Sequence, residues 1–188
     1  MLFADQGYST TQVDQIAQAA CVSRQTFYLH FKDKEEVVRD IAVAHAPRAV
    51  AVMRLLKGPS VDRRQIREWL DEWVTLVSEE KAAIAIIGEM ARSDTGAPLF
   101  IDAHIGEIVA ALAETFEAFG AAQRPGPLKL QAKFRIESLI LQTNKACCLA
   151  GRGSDPAFAE AALEVAAEMF HDFIMDPRFR APSTAHNE

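Results

Sequence analysis

Ser23, Arg24, Gln25, Thr26 and Tyr28 fall within six consecutive positions whose one other member is Phe27. These side chains suit hydrogen-bonding chemistry rather than covalent chemistry. A glutamine amide matches the N6 and N7 groups of adenine, and a guanidinium fork matches O6 and N7 of guanine. Thr26 and Tyr28 can reach phosphates or a thymine methyl. Lys34 opens the next periodic segment, where a cation opposes the helix dipole; a nearby phosphate explains it better than local helix energetics. Polar residues on a short helix are more often a solvated face, so the elements that carry these groups must decide between the two readings.

Thr11 is placed to cap a helix, with Asp14 at the capping-box position, and Val13, Ile16, Ala17 and Ala20 then share one face. Cys21 and Val22 interrupt the pattern. Ser23 caps a second short helix running through Phe31, in which Phe27 and Phe31 lie four apart on the buried side and leave Arg24, Gln25, Thr26 and Tyr28 outside. Asp33 caps a third helix, with Glu35 and Glu36 in its first turn, predicted to run to about Leu56. Two short helices joined by a tight turn and followed by a long one can lodge the second helix in a DNA major groove. Pro47 falls inside the long helix, at a cost of about 3 kcal/mol, and predicts a kink near His45.

The first helix, around Leu2-Phe3-Ala4 and stopped at Gly7-Tyr8, is too short to anchor itself, so residues upstream of Met1 are expected. After the break at Lys57-Gly58-Pro59-Ser60, apolar periodicity marks helices at about 61–78, 80–92, 98–121, 128–150 and 156–174. No run alternates β-branched residues, so the fold class is all-α. The predicted division is a head at 1–46, a body at 47–175 and a loose tail at 176–188 containing Pro177 and Pro182.

Hydrophobic residues make up 49% of the chain and charged residues 24%, which is globular rather than disordered. The net charge of −6 is unevenly spread: residues 1–60 carry +1 and residues 61–188 carry −7. A protein that coats nucleic acid over its whole surface is thereby excluded, and DNA contact is confined to the head. No apolar run is long enough to span a bilayer, and the start lacks a basic n-region and an apolar h-region, so no membrane partner and a cytoplasmic protein are expected. No phosphate-cradling glycine loop, zinc-helix spacing or nucleophile with an identifiable base is present, so an enzyme is not expected, nor a metal or cofactor. Cys21, Cys147 and Cys148 make no metal-ligand spacing and no complete disulfide framework; the vicinal pair reads as reduced thiols, with a thiol-sensing regulator as the alternative.

Leu2-Phe3-Ala4-Asp5-Gln6-Gly7-Tyr8, Thr11, Val13, Ile16-Ala17, Ala19-Ala20, Val22-Ser23, Thr26-Phe27-Tyr28, His30-Phe31 and Lys34-Glu35 together resemble the DNA-binding signature of the tetracycline-repressor family over about the first 40 residues. The resemblance implies that Ser23, Arg24, Gln25, Thr26, Tyr28 and His30 lie on or beside a recognition helix, with Thr11, Gln12 and Lys34 contacting the DNA backbone. It further implies a repressor that holds a near-palindromic double-stranded operator and is released by a small-molecule effector. Two departures stand out. Cys21 occupies a turn position where the family usually has glycine, which favours φ > 0. The family's first helix is also about three turns long, whereas this one begins at Leu2.

The last two long helices are apolar on more than one side. Ile136, Leu139, Ile140, Thr143 and Cys147 make one stripe, with Phe134, Leu141 and Cys148 elsewhere. Phe158, Ala162, Val165 and Met169 oppose Ala159, Leu163, Ala166, Phe170 and Phe173. A surface helix needs one stripe, so the surplus predicts a homodimer through the helices at about 128–150 and 156–174. Two recognition helices about 34–36 Å apart would then read successive major-groove faces. Trp69, Trp73, Met90, Phe100, His104 and Phe116, with Glu89, form the candidate pocket for an apolar effector, against plain core as the alternative. A helical small-molecule-binding or dimerisation module without DNA binding is the competing reading for the whole chain.

Overall fold

The computed structural model describes residues 2–58, 60–91, 98–151, 153 and 155–180, and all its described regular elements are α-helices. They run α1 Leu2–Gln6, α2 Val13–Ala19, α3 Arg24–His30, α4 Lys34–Met53, α5 Arg63–Glu79, α6 Lys81–Ala91, α7 Pro98–Ala113, α8 Glu117–Gly120, α9 Lys129–Gly151 and α10 Pro156–Met175. The caps follow ordinary chemistry. Ser23 Oγ accepts from Thr26 N at 2.9 Å to start α3, Asp33 Oδ1 accepts from Glu36 N at 2.9 Å to start α4, and Asp155 Oδ1 accepts from Ala157 N at 3.0 Å to start α10. Among the described residues no helix is long and apolar enough to cross a membrane.

Several details differ from the sequence pattern. The N-cap of α2 is Gln12, not Thr11, and its N–H bonds to Gln15 Oε1 at 2.8 Å. Thr11 is buried and donates instead to Gly7 O at 2.6 Å, so its hydroxyl closes the preceding loop. α4 stops at Met53 and runs through Pro47. The stretch expected at 98–121 breaks at Phe116, whose extended backbone lets both Phe116 and Phe119 turn into the core. Beyond α10 the chain does not loosen at once: Phe179 is 1% exposed and packs on Phe173 at 5.4 Å. Residues 181–188 of the expected tail lie outside the described residues.

The chain forms two units, Met1–Arg48 with Glu79–His104, and Ala49–Ser78 with Ile105–Glu188. Residues 79–104 therefore belong with the head and not with a body that starts at 47. Their contribution is apolar: Ile86 and Met90 of α6 complete a core with Phe3 and Val38, against which Tyr8, Ile16, Val37 and Ile41 pack. This is how so short an α1 is held. In the same unit His45 pairs with Glu80, and Arg48 pairs with Glu79 and Glu80, on either side of Pro47.

The second unit is organised around aromatic rings. Trp69 meets Trp73 at 5.5 Å and Phe170 at 5.0 Å, and Phe119 meets Phe170 at 5.4 Å and Phe173 at 5.1 Å. α9 and α10 pack on each other more extensively than any other helix pair. Their inward stripes are the ones read from sequence, since Ile136, Leu139, Ile140, Thr143, Cys147, Ala159, Leu163, Ala166, Phe170 and Phe173 are all buried.

Candidate nucleic-acid interface

α2 and α3 are joined by Ala20, Cys21 and Val22, and the turn closes through Cys21 N to Gln18 O at 3.0 Å and Val22 N to Ala17 O at 2.9 Å. Cys21 has φ +55°, the left-handed conformation that the missing glycine would have supplied without strain. α3 then packs through a single residue, Phe27, 4% exposed and in ring contact with Phe31 at 5.5 Å. Everything else on α3 except the partly covered Thr26 faces solvent, including Arg24, Gln25, Tyr28, Leu29 and His30.

The exposed groups are not equally free. Arg24 Nη1 lies 2.9 and 2.8 Å from the two carboxylate oxygens of Asp14, and its guanidinium stands over the Tyr28 ring at 5.7 Å. Hydrogen bonding to Tyr28 and the Asp14 charge raise the Arg24 pKa. Both ion-pair partners are more than 60% exposed, so water screens the pair, it contributes little to stability, and a phosphate or base can displace it. Ser23 Oγ and Thr26 Oγ1 lie 2.8 Å apart, which makes them a cap first and a contact second. Gln25 and Gln12 remain exposed.

Lys34 corrects the sequence reading. Its ammonium donates to Tyr8 O at 2.7 Å, Thr11 O at 2.9 Å and Ser9 O at 3.3 Å, and sits 4.4 Å from the centre of the Tyr8 ring. An ammonium has three donors, and three carbonyls take them, so Lys34 holds the α1–α2 loop together rather than presenting itself to a phosphate. Thr11, fully buried, is likewise not a surface contact. From the other side Glu89 of α6 accepts Tyr8 N at 2.9 Å from each carboxylate oxygen and Ser9 N at 3.4 Å. Gly7, at φ +83°, brings the loop so close that a Cβ there would lie 3.4 Å from Glu89 Oε1. Sequence spacing placed Glu89 with the effector residues; nothing local connects it to Tyr8, 81 positions away.

The six candidate effector residues are not brought into one described cavity. Met90 belongs to the core of the first unit, and Phe100 and His104 have side chains outside the described residues. Trp69, Trp73 and Phe116 are buried in the second unit, where the Trp69 indole donates to Val52 O at 2.8 Å. Trp69 alone of these borders a cleft of about 350 Å³, shared with Leu55, Leu56, Val61, Gln65, Glu68 and Glu72. Cys147 is buried, and burial pushes its thiol pKa up, away from the thiolate a redox sensor needs. Among the described residues no group of three or more His, Cys, Asp or Glu is placed to hold a metal.

A short helix held by one face behind a tight turn, with its hydrogen-bonding residues outward, is the geometry of a helix-turn-helix head. Residues 1–41 match the family described as bacterial regulatory proteins, tetR family. The match is carried by the head alone, and over those residues the chain resembles that family. Its fold is similar to the crystal structure of a TetR family transcriptional regulator, PfmR, from Thermus thermophilus, with a TM-score of 0.50 and 21% identity over 93% of this chain and 90% of that one. No curated protein matches the chain.

Proposed function

We propose that the chain is a cytoplasmic, homodimeric repressor that holds a near-palindromic operator through α3 and releases it when a small molecule binds the second unit. The observation that carries the DNA-reading half is the exposure of Arg24 and Gln25 on a helix anchored only by Phe27. Gln25 takes an adenine edge, and Arg24 exchanges its Asp14 partner for a guanine or a phosphate. Tyr28 and His30 flank them, with Gln12 at the start of α2 as a backbone contact.

The outer faces of α9 and α10 support a second copy as partner. Phe158 is 61% exposed, Phe134 72% and Val165 54%, and a groove of about 260 Å³ lined by Ala146, Leu149, Phe158, Ala162, Val165 and Met169 runs between the two helices. Phe134, Phe158 and Val165 are left exposed by the single chain, and a two-fold pairing of the helices would bury them. For the effector, the cleft beside Trp69 is the favoured place, more polar than the sequence suggested. A coupling of about 1–3 kcal/mol between that site and α3 would relieve repression. α4, in which the chain passes from one unit to the other just after Pro47, is one of three covalent routes between them.

Selection of duplexes from a random pool with the full chain, followed by affinity measurement across salt concentrations, tests the DNA-reading half. An enriched inverted repeat whose log affinity falls linearly with log salt is expected. Equal, salt-insensitive binding to unrelated duplexes would defeat it.

A further inference from the structure

Leu29 is 76% exposed, more than any other large apolar side chain among the described residues of the first unit, and it lies on α3, one turn after Gln25. Positions four apart share a helix face, so an amide and an isobutyl group project together from the rod that the groove must accept. Leu29 takes no part in holding α3, which packs through Phe27. Its side chain has no donor or acceptor and therefore cannot engage a phosphate or the hydrogen-bonding edge of any base. The one apolar group a base pair offers in the major groove is the C5-methyl of thymine.

Resting on the DNA-reading function proposed above, the geometry points to Leu29 as a specificity-determining residue that recognises a thymine methyl group, beside an adenine held by Gln25. The duplex is favoured as occupant because Leu29 is continuous with Gln25 and with Arg24 at the start of the same exposed helix, in the part of the chain that carries the DNA-binding family signature. Four residues of helix rise about 6 Å, the height of about two base-pair steps, so the thymine falls within about two base pairs of the adenine. Cytosine bears hydrogen at C5 where thymine bears methyl, and Leu29 would discriminate these two pyrimidines where Arg24 and Gln25 do not.

The experiment uses the full chain and the duplex enriched from a random pool. Each thymine of a half-site is replaced in turn by deoxyuridine, which deletes the methyl and keeps the base pair. At one thymine the unsubstituted protein should lose about fourfold in affinity, the worth of one apolar carbon removed from water. Leu29→Ala, whose fold is checked by its thermal unfolding, should be indifferent to that replacement. Indifference of the unsubstituted protein at every thymine, or an undiminished loss in Leu29→Ala, would overturn the assignment. Failure to enrich any duplex would overturn the DNA-reading function and this inference with it.

Discussion

Arg24 shows how far a residue type falls short of a role. As a guanidinium beside Gln25 it suits a guanine edge, yet in the folded head it is tied to Asp14, ten positions earlier. Asp14→Asn should free it and remove a negative charge facing the duplex, raising operator affinity by up to about fivefold. A fall in affinity on titration with labelled duplex would mean that Asp14 orients Arg24 productively instead. Cys21 offers a second test. A left-handed conformation costs a non-glycine residue about 1–2 kcal/mol, partly offset by the greater flexibility of glycine in the unfolded chain. Cys21→Gly should therefore raise stability by about 0.5–1 kcal/mol in denaturant unfolding, and a lower midpoint would contradict it.

At the scale of elements, the helices and the exposed face of α3 were legible because their signals are local. Ser23 and Asp33 cap where the spacing places them, and Phe27 is the buried anchor. What was not legible is long-range. Thr11 and Lys34 look like surface groups in sequence and are instead turned inward by the carbonyls of residues 7–11. Glu89 lies far along the chain, and its partners are backbone N–H groups, which leave no mark on residue type. Glu89→Gln should loosen that loop by about 1–3 kcal/mol through loss of a charge-assisted acceptor. Faster amide hydrogen exchange at Tyr8 and Ser9 is the expected readout, and unchanged exchange would show that the loop holds without the charge.

Across the whole molecule, periodicity separated the inner and outer stripes of α9 and α10 correctly, because a helix fixes which residues share a face. It could not distribute the middle apolar residues between two units, since Trp69 and Met90 carry no signal of the core each joins. The outer stripe leads to a prediction for assembly. Phe158→Asp, at an exposed position of the isolated chain, should leave the fold intact and weaken self-association by at least about 2 kcal/mol, or roughly 30-fold. Sedimentation should then show monomer, with operator affinity falling in parallel; an unaltered dimer would place the interface elsewhere.

Both tryptophans, Trp69 and Trp73, lie in one unit, and both tyrosines, Tyr8 and Tyr28, lie in the other. Selective excitation of indole thus sees only the unit that lacks α3. Because the Trp69 N–H is fastened to the carbonyl of Val52 on α4, its emission is sensitive to the far end of the helix that begins beside α3. A change in that fluorescence on adding duplex would be communication between the two units, seen without any added label.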